Sequence, residues 1–130
     1  MKRIGVLSDT HGTVPPQVYT FFNHCDELWH AGDMGRGVLE KLRAFKPIRA
    51  VYGNMDDYSQ RYEVPETQLF NCDGLRVLMT HIGGWPGHYP PAILKLLQHD
   101  VCHAVNVPDV VDYALYGVDD LARGLLAAAV

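Results

Sequence analysis

Five side chains of metal-binding type punctuate this chain: Asp9 and His11, then Asp33, Asn54 and His81. Carboxylates, amide oxygens and imidazole nitrogens all donate lone pairs, and a mixture of them without thiolate suits manganese, iron, zinc or nickel ions. Asp9 and His11 stand two residues apart, which in an extended segment sends both side chains the same way, so that one ion can use both. Asp33 and Asn54 each follow a glycine, which permits a sharp backbone turn with no Cβ in the way. Asp and Asn are also ordinary turn residues. Each of the five is therefore uninformative alone, and the recurrence carries the argument.

The apolar runs that precede these residues predict the elements that position them. Residues 3–8, 27–31 and 48–52 are short apolar runs of the kind found in strands buried on both faces. Between them lie two helical patterns. The first starts at Pro15 and Pro16 and includes Val18, Tyr19, Phe21 and Phe22; the second runs through Val38, Leu39, Leu42 and Phe45 until Pro47. Such alternation predicts a parallel sheet flanked by helices. Residues 68–72 and 75–80 read as two more strands joined at Asp73-Gly74, a strong hairpin turn, and the second delivers His81. Residues 82–91 are a loop by composition, 92–98 a short helix, and 108–117 and 118–128 have helix-compatible apolar spacing. All five candidates then follow carboxyl ends of strands, where the loops of an α/β sheet converge on a crevice.

The chain has 130 residues, 48% hydrophobic and 20% charged, which fits a single folded domain, 1–130, and excludes a disordered one. A formal charge of −4 gives no nucleic-acid footprint. No apolar run reaches membrane-spanning length, and the amino terminus passes directly into a strand-like run, so no membrane association or secretion is expected. Three widely spaced cysteines, Cys25, Cys72 and Cys102, suit a reducing cytoplasmic location.

The segments Ser8-Asp9-Thr10-His11-Gly12, Ala31-Gly32-Asp33, Gly53-Asn54-Met55-Asp56 and Thr80-His81 resemble, in order and spacing, the calcineurin-like metallophosphoesterases. They are most similar to the small phosphodiesterase branch related to the retromer subunit Vps29, and the resemblance covers roughly residues 1–98. It implies an α/β sheet sandwich with flanking helices. It also implies a metal-dependent phosphodiesterase with two divalent ions, manganese first among them, and a small phosphodiester or nucleotide-like substrate. Asp9 and His11 would hold the first ion, Asp33 would bridge, and Asn54 and His81 would hold the second, with a metal-activated hydroxide attacking phosphorus in line. Asn54 and Asp56 are expected to be catalytic. Many relatives place a histidine after the Gly-Asn pair to assist the leaving group. Met55 stands there and cannot transfer a proton, which favours aryl or otherwise activated diesters.

The resemblance fails at its carboxyl end. Relatives carry a Gly-His-x-His segment that supplies one histidine to each ion, whereas this chain has His99-Asp100-Val101-Cys102-His103-Ala104. Residues 99–130 are therefore read as a divergent tail, and the domain as C-terminally truncated or altered. Three accounts stay open: His99 or His103 substitutes, the tail is foreign and the metal shells are partial, or catalysis has been lost and the chain is a non-catalytic metal-binding or protein-interaction scaffold of the Vps29 type. The apolar C-terminal helix is expected to cover a sheet face left bare by missing strands, or to pair with another chain as a homo-oligomer. His88, in the loop after His81, is a candidate substrate contact.

Overall fold

Side chains alternate in direction along a strand, and Arg3–Leu7 (β1) uses that alternation to feed two cores. Ile4 and Val6 point to one face, Leu7 to the other. The structure is a computed structural model that describes residues 2–82, 88, 90–99, 103–105 and 113–117. Pro16–Phe21 (α1) follows β1, with proline in its first turn as expected. Glu27–His30 (β2), Val38–Phe45 (α2) and Ile48–Ala50 (β3) complete the amino-terminal alternation. β1, β2 and β3 pair in parallel.

Thr67–Cys72 (β4) and Leu75–Thr80 (β5) form the predicted antiparallel hairpin, with Asp73 and Gly74 both at positive φ, 46° and 83°, as a primed two-residue turn requires. The hairpin's sheet lies on the face of the first sheet that carries Ile4, Val6, Trp29, Ala31 and Val51, burying them against Phe70, Cys72, Val77 and Met79. Trp29 meets Phe70 edge to face with ring centroids 4.9 Å apart. Helices α1 and α2 close the opposite face with Val18, Phe22, Val38, Leu39 and Leu42 around Leu7 and Leu28. A sheet sandwich with flanking helices is thus the architecture.

Three elements differ from expectation. Tyr58–Glu63 (α3), a six-residue helix, was not foreseen. Pro91–His99 (α4) matches the expected short helix. Beyond it, His103–Val105 (β6) adds to β5 in parallel, and Tyr113–Gly117 (β7), expected within a helix, pairs antiparallel with β1 from Arg3↔Gly117 to Leu7↔Tyr113. The reason is physical. A continuous apolar run does not discriminate helix from strand, and the free flank of β1 offers a row of unpaired N–H and C=O groups that a strand satisfies. The sheet orders are β3-β2-β1-β7 and β4-β5-β6. The free flank of β1 is therefore covered by a strand; the apolar C-terminal helix expected over Val110 to Leu126 is replaced by strand at residues 113–117, and the rest of that stretch lies outside the described residues.

Candidate metal centre

The parallel ladder does not stop where the strands end. Past β1 and β2 it continues as Asp9 N–H to Gly32 O at 3.0 Å, His11 N–H to Asp33 O at 3.1 Å and Gly12 N–H to Met34 O at 2.7 Å, so the two loops are fastened backbone to backbone. The candidate ligand residues so paired adopt left-handed backbone: φ is 58° at Asp9, 48° at His11 and 55° at Asp33. The extended geometry expected for Asp9 and His11 is thus replaced by two left-handed residues, but the outcome for the side chains is the same. Non-glycine residues held there carry strain that clusters at functional sites, and one donor atom from each of Asp9, His11 and Asp33 lies within 4.8 Å of the others.

Glycine works differently at the two expected positions. Gly32 has φ of +106°, and a Cβ there would press on the His81 ring at 2.7 Å. Gly53 needs no positive φ; its Cβ would enter the space of the Asp33 carboxylate. Both glycines make room for a neighbouring candidate ligand.

His81 is the most informative residue. Its Nδ1 lies 2.7 Å from the Ala31 carbonyl oxygen, which only accepts, so Nδ1 carries the proton and donates. In the neutral ring Nε2 is then a lone pair, buried, without a hydrogen-bond partner, and 3.2 Å from Asp33 Oδ2. Two acceptors facing each other in a buried site call for a cation between them. A backbone carbonyl that fixes the tautomer of an imidazole is also the usual support for a metal-ligating histidine. Burial pushes the Asp9 carboxyl above its ordinary range, and the hydrogen bond from Ser8 Oγ, at 2.6 Å, offsets only part of that. A bound cation would reverse this.

His30 supports these loops from beneath. The Gly32 N–H donates to its Nδ1 at 3.2 Å, so Nε2 carries the proton and donates to Thr10 Oγ1 at 3.0 Å, which in turn donates to the Met34 carbonyl at 2.8 Å. Complete burial pushes the imidazole down to about 4. Because the folded value lies below the ordinary 6.5, this group's stabilising contribution is present above about pH 6.5 and is lost as pH falls toward 4. Urea unfolding should therefore show the wild type losing on the order of 2–3 kcal/mol more than His30→Gln between pH 7 and 4.5; parallel losses would refute this role.

The sequence profile of the calcineurin-like phosphoesterase superfamily domain matches residues 1–117. The chain belongs to this superfamily. Among solved structures it is similar to Vps29 of Chaetomium thermophilum, at 17% identity and a TM-score of 0.64, covering 82% of this chain and 62% of that one. A predicted phosphoesterase of Streptococcus pneumoniae matches at 21% identity and a TM-score of 0.58, over 83% of this chain and 62% of its own. A Thermotoga maritima protein solved by NMR matches at 21% and 0.66, over 93% of this chain and 94% of its own. This calcineurin-like chain thus spans about three fifths of the length of the Vps29 and pneumococcal structures. No curated protein matches it. The match runs past residue 98 to the end of β7.

The remaining candidates of this phosphoesterase domain fall in several places. Asn54 is exposed on the loop after β3 and shares a cleft wall with His81. Met55 is 69% exposed, while its N–H donates to Asp33 Oδ1 at 2.8 Å, so position 55 supports Asp33 through backbone alone. Asp56 is buried and accepts from Gly53 N–H at 2.9 Å, Gly35 N–H at 3.0 Å and Met34 N–H at 3.4 Å. Those three bonds make it a clamp on the loops after β2 and β3. The register of β6 puts His103 level with Val77, four positions before His81, about 13 Å down the strand. It is therefore not at the strand end where a substitute ligand is needed. His99 is the last residue of α4, and His88 is exposed. Among the described residues no helix is long and apolar enough to cross a membrane.

Proposed function

We propose that this chain is a metal-dependent phosphodiesterase. The observation that carries the reading is the bare, buried His81 Nε2 facing Asp33 Oδ2 at 3.2 Å. Asp9 and His11 would hold one divalent ion, Asn54 and His81 a second, with Asp33 shared, and manganese is the first choice for this oxygen and nitrogen donor set. Bound ions of this kind ionise a water nucleophile and neutralise charge on phosphoryl oxygens. The chain's own contribution is to hold the donors on loops that hydrogen bonding has already fixed. Free, buried Cys25 and Cys72 are consistent with a cytoplasmic location.

Met55 offers no proton to a departing alkoxide, so leaving groups must depart as stable anions. With manganese in excess, bis(4-nitrophenyl) phosphate should be hydrolysed at least about 100-fold faster than a dialkyl phosphate such as diethyl phosphate. Equal rates would count against this account of position 55. The second reading is a non-catalytic metal-binding scaffold, favoured by the lack of a Gly-His-x-His segment in the sequence. Stoichiometric metal uptake without any diester hydrolysis would decide for it.

A further inference from the structure

Residues 55–57 lie along residues 33–36 like the two sides of a seam. The Met55 N–H donates to Asp33 Oδ1 at 2.8 Å, and the Asp56 carboxylate accepts from the Met34 and Gly35 N–H groups at 3.4 and 3.0 Å. Asp57 Oδ2 accepts from Arg36 Nε at 2.9 Å. Asn54 precedes this seam and takes no part in it. It is also exposed, so neither packing nor the seam fixes the direction of its amide.

The one hydrogen bond that Asn54 makes among the described residues comes from the other side, from helix α3. Arg61 Nη2 donates to the Asn54 carbonyl at 3.2 Å while Nε donates to the Asp56 carbonyl at 2.8 Å. A guanidinium presents its donors in a rigid planar fork, so a grip on both carbonyls fixes the turn between them. The fork is held in its own place by the Tyr52 ring, whose centroid lies 4.9 Å from the guanidinium carbon. Arg61 has two effects of opposite sign on a cation at Asn54 and His81. Its charge repels the ion, and its grip keeps the Asn54 amide where it can serve as a ligand. Arg61 is exposed, so water and salt damp the repulsion. Partners that orient a metal ligand from behind are worth about 10–100-fold in metal affinity. Orientation is therefore the larger effect.

We propose that Arg61 is a positioning residue for the second ion, acting through Asn54 rather than on metal or substrate. The inference rests on the reading that gives Asn54 and His81 an ion of their own. Manganese titration followed by the EPR signal of the free ion, with no substrate present, resolves the binding steps, and Asn54→Ala identifies the step that belongs to Asn54. Arg61→Ala should weaken that step by about tenfold or more and leave the other within about twofold. Arg61→Lys keeps the charge but not the fork, and should weaken it nearly as much. Tighter binding in Arg61→Ala would mean that repulsion dominates, and equal weakening of both steps would mean that the variant only loosens the fold. Either result overturns the proposal, as does an unchanged step. A second measurement needs no metal: in EDTA, the NMR order parameter of the Asn54 backbone amide should fall from the roughly 0.85 of rigid backbone to below about 0.6 in Arg61→Ala. An unchanged value overturns the positioning role. If the wild type takes up a single ion, the second-ion reading fails, and the order parameter alone decides whether Arg61 positions Asn54.

Discussion

Asp33→Ala should lower hydrolysis of bis(4-nitrophenyl) phosphate by roughly a thousandfold or more, the scale on which losing an electrostatic stabiliser of the transition state is felt. Asp33 sits at the meeting point of the site: Oδ1 receives the Met55 N–H at 2.8 Å, and Oδ2 faces His81 Nε2 at 3.2 Å. Without metal the variant should be about as stable as the wild type, since one hydrogen bond is lost while the confrontation of two acceptors is relieved. With metal the two should diverge. A ligand that binds only the folded state stabilises it by about 2.7 kcal/mol at 100 times its Kd. The wild type should gain that much in urea unfolding with manganese, and Asp33→Ala should gain little. Activity within tenfold of wild type would remove Asp33 from the centre.

Asp56→Ala should act on the fold first. It would leave the N–H groups of Met34, Gly35 and Gly53 in or near the interior without their acceptor. Each unsatisfied buried donor costs about 1–3 kcal/mol, and with incomplete additivity the total should be roughly 3–5 kcal/mol. Asp56→Asn should fall between, because an amide accepts on one atom only. Urea midpoints report this directly. A variant that loses less than about 1 kcal/mol yet no longer hydrolyses diesters would assign Asp56 a catalytic role instead.

The sequence announced the three parallel strands and the hairpin because each apolar run ends in a glycine or polar residue, and because Asp73-Gly74 has one preferred turn. It also announced the candidate ligands, since the same loops carry them. Helix α3 was harder, having only Gln60 buried and no apolar stripe. Its signal was the cap: the Asp57 side chain accepts from Ser59 N–H at 3.0 Å, and the Asp57 N–H donates to Gln60 Oε1 at 3.1 Å, the spacing of a capping box. The place of Asp56 was not readable, because two of its three partners lie more than twenty positions away. Nor were the left-handed backbones at Asp9, His11 and Asp33, which arise from the pairing of one loop with another. Strand β7 misled because Tyr-Ala-Leu-Tyr suits either period.

The pairing of β7 with β1 also shapes how the molecule must assemble. The strand that starts the chain is flanked on one side by β2, reached after a short crossover, and on the other by residues as distant as Gly117. Contacts of such long sequence separation slow folding, because loop closure must precede them. A chain emerging amino terminus first could form β1, α1 and β2 early, yet the outer flank of β1 would stay open until residues 113–117 arrived. During that interval the first sheet presents an unpaired edge, the kind of transient surface on which aggregation begins. Slow synthesis or loss of the segment around Tyr113 should therefore lower the soluble yield before it touches the loops that carry the candidate ligands.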